Sequence, residues 1–215
     1  MSLSRLTIII PTFYPGKIIK KCLASLPPVS EIIIIDNGED LELEKIIKLH
    51  KLKIKHFKVG DIGLSKSFNI ALAKSKNENI LITQPDVYFE KNSIINLIKA
   101  QKKYMKVGIF SPLLFEKKKY SQYDYLDLGL SKSGNLKNTK KNKKINILPS
   151  GDICVEAVNA TAMLIKKSII KKINGWDENI YTYHEDIDLC LRLRRKNYSI
   201  MKIKKSIVHH IGFGS

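Results

Sequence analysis

Two stretches of this 215-residue chain carry residue types that could do chemistry. "YHEDIDLCLRLRRKNY", residues 183–198, sets Glu185 beside Asp186, places Asp188 two residues on, and runs into an arginine-studded apolar stretch. "ITQPDVYF" puts Asp86 directly after an apolar run, and "VHHIG" supplies the adjacent pair His209 and His210. One positioned carboxylate can take a proton from an attacking hydroxyl, and another at a strand end can hold a divalent cation. Each also has a bland reading. Acidic residues favour the N-terminal end of a helix, where they cap free amides, and Asp is common in turns. Two histidines in succession on a strand point to opposite faces, so one of them faces inward.

The elements that must position these residues follow an α/β pattern, with short apolar runs alternating with segments of helical period. "LTIIIPT" (6–12) reads as a buried strand stopped by Pro11, and Pro15 opens a helix through about Ser25. "EIIIIDNG" (31–38) is a second strand ending in Asp36, "LELEKIIKLH" a helix and "KIKHFKV" a third strand. "GLSKSFNIALAKS" (63–75) is a helix, "NILITQPD" (79–86) a fourth strand, and "SIINLIKAQ" with "VGIFSP" a further helix–strand pair. Residues 116–150 break the rhythm as a polar excursion with five lysines from Lys137 to Lys144. Beyond it, "VEAVNATAMLIKKSIIKKING" is a strand and a helix ended by Gly175. "DIDLCLRLRRKN" is a helix, and "YSIMKIKKSIVHH" forms one or two edge strands. With no internal repeat and no boundary in composition, the chain reads as one domain, 1–215.

Composition narrows the function classes. No window approaches the roughly 18 consecutive apolar residues of a membrane span, and the first apolar run is too short for a signal peptide. Cys22, Cys154 and Cys190 are odd in number and far apart, which fits reduced packing residues in a cytosolic protein rather than zinc or disulfides. The net charge of +18 favours an anionic partner such as a phosphorylated substrate or a lipid surface. The first strand-to-helix turn, "PTFYPG", has neither G-x-G-x-x-G nor G-x-x-x-x-G-K-[ST]. A dinucleotide site and a P-loop are therefore both disfavoured. Ligands of open α/β sheets collect beyond the carboxyl ends of the strands, where Thr12, Asp36 and Gln84-Pro85-Asp86 fall. Without a glycine-rich cradle, a carboxylate-bound metal is the usual way to handle phosphates there.

The order of "TIIIPTFYP", "EIIIIDNG", "DIGLSKSFNIAL", "ITQPDVYF", "VNATAMLI", "INGWDENIYTYHEDIDLCLRLRRKNY" and "VHHIG" resembles the family 2 glycosyltransferases, especially the rhamnosyltransferase-like branch. The resemblance runs from about Leu6 to Ser215. It implies a GT-A fold, a mixed and mainly parallel sheet flanked by helices, and transfer of a sugar from dTDP-rhamnose or a UDP-sugar. Thr12 and Asp36 would contact the nucleoside, and Asp61, Gly63 and Lys66 would line the sugar-nucleotide pocket. Gln84-Pro85-Asp86 matches the family's D-x-D motif with glutamine in place of its first acid, leaving Asp86 as the main protein ligand to Mg²⁺ or Mn²⁺. A late histidine completes the metal shell in some relatives; H-x-x-G spacing points to His209, distance from the acidic motif to His210. Asp186 matches the catalytic base and Glu185 its neighbour, while Asp188 is a helix cap or a brace for Arg192 or Arg194. Trp176 is either a platform for a sugar or packing.

By the same resemblance the acceptor is a surface-polysaccharide or lipid-linked glycan at the cytoplasmic face of the membrane. Relatives often continue past the histidine motif, so part of the acceptor site or a membrane-associating tail is expected to lie outside this chain. Two rivals stay open. A GT-A-like scaffold that binds sugar nucleotide without turnover is permitted by Gln84. Nucleic-acid binding would use the charge, but the lysines are scattered and no recognition motif occurs. The excursion itself is testable. Changing Lys137, Lys140, Lys141, Lys143 and Lys144 together to Ser should weaken binding to anionic vesicles at low salt and leave folding intact. Each lysine near an anionic surface contributes about 1 kcal/mol; unchanged vesicle binding would return the segment to a solvated loop.

Overall fold

The structure is a computed structural model that describes residues 3–29, 31–116, 119–120, 129–130, 136–137 and 148–212. In chain order these form β1 (Leu6–Thr12), α1 (Ile19–Ser25), β2 (Glu31–Asp36), α2 (Leu41–Leu49), β3 (Ile54–Lys58) and α3 (Leu64–Lys74). Next come β4 (Asn79–Thr83), β5 (Val87–Phe89), α4 (Ser93–Lys103), β6 (Val107–Glu116), β7 (Lys119–Tyr120), β8 (Gly129–Leu130) and β9 (Leu136–Lys137). The series closes with β10 (Ile153–Val155), β11 (Ala162–Lys166), α5 (Lys167–Lys172), α6 (Glu185–Arg195) and β12 (Ser199–His210). Of the lysine cluster, Lys140, Lys141, Lys143 and Lys144 lie outside the described residues.

One sheet runs in the order β10-β12-β6-β11-β4-β1-β2-β3, with β5 on β12 and β7 on β6. The run β4-β1-β2-β3 is parallel, β12 is parallel to β6, and β11 lies antiparallel between β4 and β6. The sheet is thus mixed and mainly parallel, as its alternating strand and helix signals imply. Burial explains the apolar runs. Ile8, Ile10, Ile32 and Ile34 face a cluster with α1, α2 and α4, while Ile9, Ile33 and Ile35 face a second with α3, α5 and α6. Strands covered on both faces read as continuous rather than alternating apolar sequence.

Local chemistry sets the helix ends. The Asp40 side chain accepts the Glu42 amide at 2.8 Å and caps α2, whose first turn also carries Glu42 and Glu44. Pro11 does not stop the first strand. Pairing with β4 ends at Ile9, but pairing with β2 continues through Pro11 and Thr12, so the missing N–H falls where one neighbour has already left. The C-terminal segment is likewise not an edge. β12 is a single strand of 12 residues held between β6 and β10 or β5, with a register shift between Ile203 and Ile207. Its Ile200, Met201, Ile203 and Val208 are all buried, which an interior position explains. Among the described residues no helix is long and apolar enough to cross a membrane.

Helix α3 starts at a backbone constraint. Gly63 has φ +81 and ψ 169, a region essentially closed to other residues, and a methyl there would lie 2.5 Å from the Tyr181 carbonyl oxygen. That oxygen accepts the Leu64 amide at 2.8 Å, so the 177–184 loop is seated on the start of α3. Gly63→Ala should cost about 2 kcal/mol or more, a drop of about 4–8 °C in Tm for a chain of this size. Chemical or thermal denaturation checks it, and an unchanged midpoint would mean that the loop seat carries no stability.

Candidate active site

Beyond the carboxyl ends of β1, β2 and β4 lies a cavity of about 560 Å³. The end of β1 with the turn that follows (residues 11–15), Asn37, Asp61, Gly63, the turn Gln84-Pro85-Asp86, residues 181–183, His210 and Gly212 line it. Thr12, Asp61, Gly63, Gln84, Asp86 and His210 are therefore brought together, as the sequence places them. Asp36, Lys66, Trp176, Glu185, Asp186 and His209 are not among the lining residues.

Asp36 is fully buried, and its carboxylate accepts the Gly38 amide at 3.1 Å and the Asp40 amide at 3.0 Å, with His56 Nε2 3.0 Å away. It builds the loop, and the next residue reaches the cavity instead. Asn37 Nδ2 donates to the Thr12 carbonyl at 3.3 Å and its Oδ1 accepts the Ser67 hydroxyl at 2.9 Å. Lys66 is exposed on α3. Trp176 is 2% exposed and packs on Phe68 at 5.0 Å between ring centroids. Asn69 holds it there, accepting its amide and donating to its carbonyl at 2.9 Å each. The ring is core packing, and the sugar-platform reading fails because no face is open.

Aromatic residues at the rim were not singled out from sequence. Phe13, Tyr14, Tyr181 and Tyr183 all line the cavity and are 46%, 63%, 51% and 72% exposed. Tyr181 donates its hydroxyl to Asp61, which ties the 177–184 loop across the mouth of the cavity. The same bond raises the Tyr181 pKa. The cue in the sequence was the pair of aromatic dipeptide-like runs, "FY" and "YTY", each beside a candidate polar residue.

The two histidines separate onto different environments. His209 stacks on Tyr88, with centroids 4.7 Å apart and planes 11° from parallel, and meets Glu90 at 2.8 Å. His210 turns into the cavity, with Nε2 2.9 Å from Asp86 Oδ2 and Nδ1 3.3 Å from Glu116 Oε1. The Asp86 contact, ahead of the opposing effect of burial, raises the His210 pKa. The H-x-x-G spacing cue to His209 is thus not followed. Among the described residues no cluster of three or more His, Cys, Asp or Glu is arranged as a metal site. A carboxylate and an imidazole do face each other, however. Two neighbouring ligands of an octahedral ion bound at about 2.1 Å stand about 3.0 Å apart, close to the observed separation. Such a two-donor set fits an ion whose other ligands are phosphate oxygens and water.

Helix α6 carries the acidic motif. Tyr183 and His184 both adopt left-handed φ, 61° and 70°, and turn the chain into the helix without a side-chain cap. Asp186 is half-buried, with Oδ2 accepting the Ala160 amide at 3.0 Å and Oδ1 the Ile187 amide at 2.7 Å. Burial raises its pKa even against these bonds. Glu185 is 4% exposed, Oε2 has no hydrogen-bond partner among the described residues, and burial, then the neighbouring Asp186, push its pKa to about 7. Asp188 is the brace: its Oδ2 accepts Arg192 Nε at 2.8 Å, and Arg192 also donates to the Ile173 and Gly175 carbonyls.

A model of glycosyl transferase family 2 matches residues 7–171. The chain is 31% identical over 196 residues to rhamnosyltransferase WbbL of Escherichia coli strain K12, covering 81% of this chain and 71% of that protein. It is 24% identical over 206 residues to the low-salt glycan biosynthesis hexosyltransferase Agl10 of Haloferax volcanii, with 92% and 64% covered. Among solved structures, GalNAc-T7 with UDP, GalNAc and Mn²⁺ superposes with a TM-score of 0.76 at 15% identity, over 97% of this chain and 44% of that one. The mannosyltransferase PcManGT of Pyrobaculum calidifontis, in complex with GDP-Man and Mn²⁺, gives 0.67 at 12% identity, over 96% and 56%. The chain therefore spans about two thirds of these curated relatives and about half of the solved chains, and the structural likeness speaks for the fold, which is GT-A. With a family model over most of its length and a relative at 31% identity, the chain belongs to glycosyl transferase family 2 and is rhamnosyltransferase-like within it.

Proposed function

We propose that the chain moves a sugar from a nucleotide-diphosphate donor, dTDP-rhamnose or a UDP-sugar, to a hydroxyl of a surface-polysaccharide or lipid-linked acceptor, inverting the anomeric centre. One adjacency carries this reading. Asp186 is bonded to the Ala160 amide, two residues before Ala162, and Ala162 pairs with Thr83 at the end of β4. Gln84-Pro85-Asp86 follow at once, so the turn that Asp186 holds and the turn that lines the cavity sit at the same end of the paired strands β11 and β4. WbbL is named a rhamnosyltransferase, and the GalNAc-T7 and PcManGT structures hold UDP and GDP-Man with Mn²⁺, which supports the donor class.

Within this reading the nucleoside lies among Thr12, Asn37 and Asp61, with Phe13 and Tyr14 at its edge. Asp86 and His210 would hold Mg²⁺ or Mn²⁺, whose chemistry when bound is Lewis-acid neutralisation of the diphosphate leaving group. Asp186 takes the proton of the acceptor hydroxyl. Its two backbone N–H bonds fix the carboxylate, and its raised pKa makes it a stronger base. Glu185 is closed off and Asp188 is tied to Arg192. The motif then offers no second free carboxylate as nucleophile, and a single displacement inverts. The +18 charge suits an acceptor presented on an anionic inner membrane face.

Donor binding is the first test. A UDP- or dTDP-sugar at about 100 times its Kd should raise Tm by about 5–10 °C in Mn²⁺. Asp86→Ala should lose the part of that shift that EDTA removes from the wild type; stabilisation indifferent to both would sink the metal assignment.

The acidic motif gives a second. Asp186→Asn should bind donor as wild type does and lose transfer by about 10² or more, with Glu185→Gln losing less. Donor binding with no turnover in the wild type would favour the inactive scaffold. Glu185 adds a pH signature. Its folded pKa lies above the unfolded value, so its contribution favours the fold most at low pH and is lost as pH rises through about 7. Glu185→Gln should therefore melt higher than wild type above pH 7, with the gain vanishing in acid. A gain independent of pH would show that the buried carboxylate is not the cause.

A further inference from the structure

We infer that the end of the sheet opposite the cavity is a docking face for an anionic phospholipid bilayer, with Leu49 and Met105 as the points that enter it. β6 points the same way as β4, β1, β2 and β3, so the turn from α2 into β3 and the turn from α4 into β6 both lie at that far end. Both helices cover the same face of the sheet. The two turns are built alike. Leu52 and Tyr104 pack against the core beneath, while Leu49 and Met105 project outward, 87% and 86% exposed. Exposed Lys48, Lys51 and Lys53 flank the first tip, exposed Lys102, Lys103 and Lys106 the second, and neither 48–53 nor 102–106 contains an acid. Asp152 approaches Tyr104, but its carboxylate is taken by the Tyr104 hydroxyl and the Lys204 amide.

Helix C-termini favour lysine on their own account. That does not explain Lys51, Lys53 and Lys106, which lie past the last helical turn, nor two large apolar side chains left in water between them. Lysines drawn to anionic headgroups and apolar tips buried at the acyl boundary are the two forces that hold a peripheral protein on a bilayer. A polyanion would use the lysines but give the tips nothing to enter. Four to five strand spacings separate β6 from β2 and β3, so the tips stand about 20 Å apart and give two footholds rather than one. The cavity end matches such a surface less well, since Glu39, Asp61, Asp177 and Glu178 are exposed there against Lys17 and Lys66. Docked by its far end, the protein opens its cavity away from the bilayer by at least the 7 residues of β1, about 23 Å. Under the proposed function the acceptor it reaches is then the outer end of a glycan chain rather than a sugar next to the lipid. The docking itself does not rest on that reading, so vesicle binding and transfer to a soluble acceptor can fail separately.

The full chain is tested by flotation with vesicles of phosphatidylglycerol and of phosphatidylcholine. Wild type should float with the anionic vesicles and be released by salt. Lys51, Lys53, Lys102 and Lys106 changed together to Gln should keep the wild-type Tm and lose about 10²-fold or more in vesicle affinity, each lysine being worth about fivefold. Leu49→Ser with Met105→Ser should lose about tenfold for each tip. Orientation is read from an environment-sensitive dye on Met105→Cys or Tyr183→Cys, each carrying Cys154→Ser so that only the buried Cys22 and Cys190 remain beside the label. The dye at 105 should shift to the blue on anionic vesicles and the dye at 183 should not. A shift at 183 alone would mean that the mouth of the cavity meets the bilayer. Binding to heparin but not to vesicles would mean a polyanion, and vesicle binding lost only with the lysines of 137–144 would move the contact to the excursion. Each of these three results overturns the proposal.

Discussion

The two-sided burial of β1 and β2 is the constraint on which the rest depends. Leu6 through Thr12 and Glu31 through Asp36 are buried at every position. A sheet this apolar must be covered by helices on both faces, and its polar groups are left only two places to go. One is inside, fully satisfied: Glu31 accepts Thr7 Oγ1 at 2.6 Å, the Lys76 amide at 2.8 Å and Lys55 Nζ at 2.5 Å. These bonds more than offset the cost of its burial and hold its pKa below the ordinary value. The other place is the strand ends, and there the cavity forms.

At those ends the side chains closest to the strands spend their oxygens on the backbone, and their neighbours face the cavity. Asp36 is consumed by the loop that follows it, and Asn37 lines the cavity in its place. Asp186 ties α6 to the turn before β11 through the Ala160 amide yet stays only half-buried, so under the proposed function one carboxylate would do both jobs. A base whose orientation is fixed by two main-chain donors loses little freedom when a hydroxyl approaches.

Much of this was legible from sequence because it rests on short-range patterns. Continuous isoleucine runs announced buried parallel strands, and the periods between them announced helices. The D-x-D-like turn and the acidic run in the first turn of α6 stood out by residue type. What failed depended on pairings far apart in the chain. Pro11 was read as a strand end, since nothing local shows that β4 stops at Ile9 while β2 continues. The segment 199–210 was read as one or two edge strands. Its burial between β6, β10 and β5 arises from partners up to 123 residues away, the separation of His210 from Val87. Trp176 could not be decided locally either, for its partners Phe68 and Asn69 lie on α3.

Pairs of like residues are assigned different work by face alone. His209 and His210 are chemically identical, but alternation along β12 delivers one to an aromatic stack and the other to the cavity. Glu185 and Asp186 are one residue apart on α6, and the helical turn between them closes one into the interior and leaves the other at the boundary. Burial raises the pKa of both; on Asp186 the backbone N–H bonds oppose it, while on Glu185 the adjacent Asp186 charge adds to it. Two neighbouring carboxylates in a common environment would compete for one proton. Here the main-chain N–H bonds favour the charged form of Asp186, the residue tied to the Ala160 amide just ahead of β11. Geometry, rather than residue identity, sets the two acids of the pair apart.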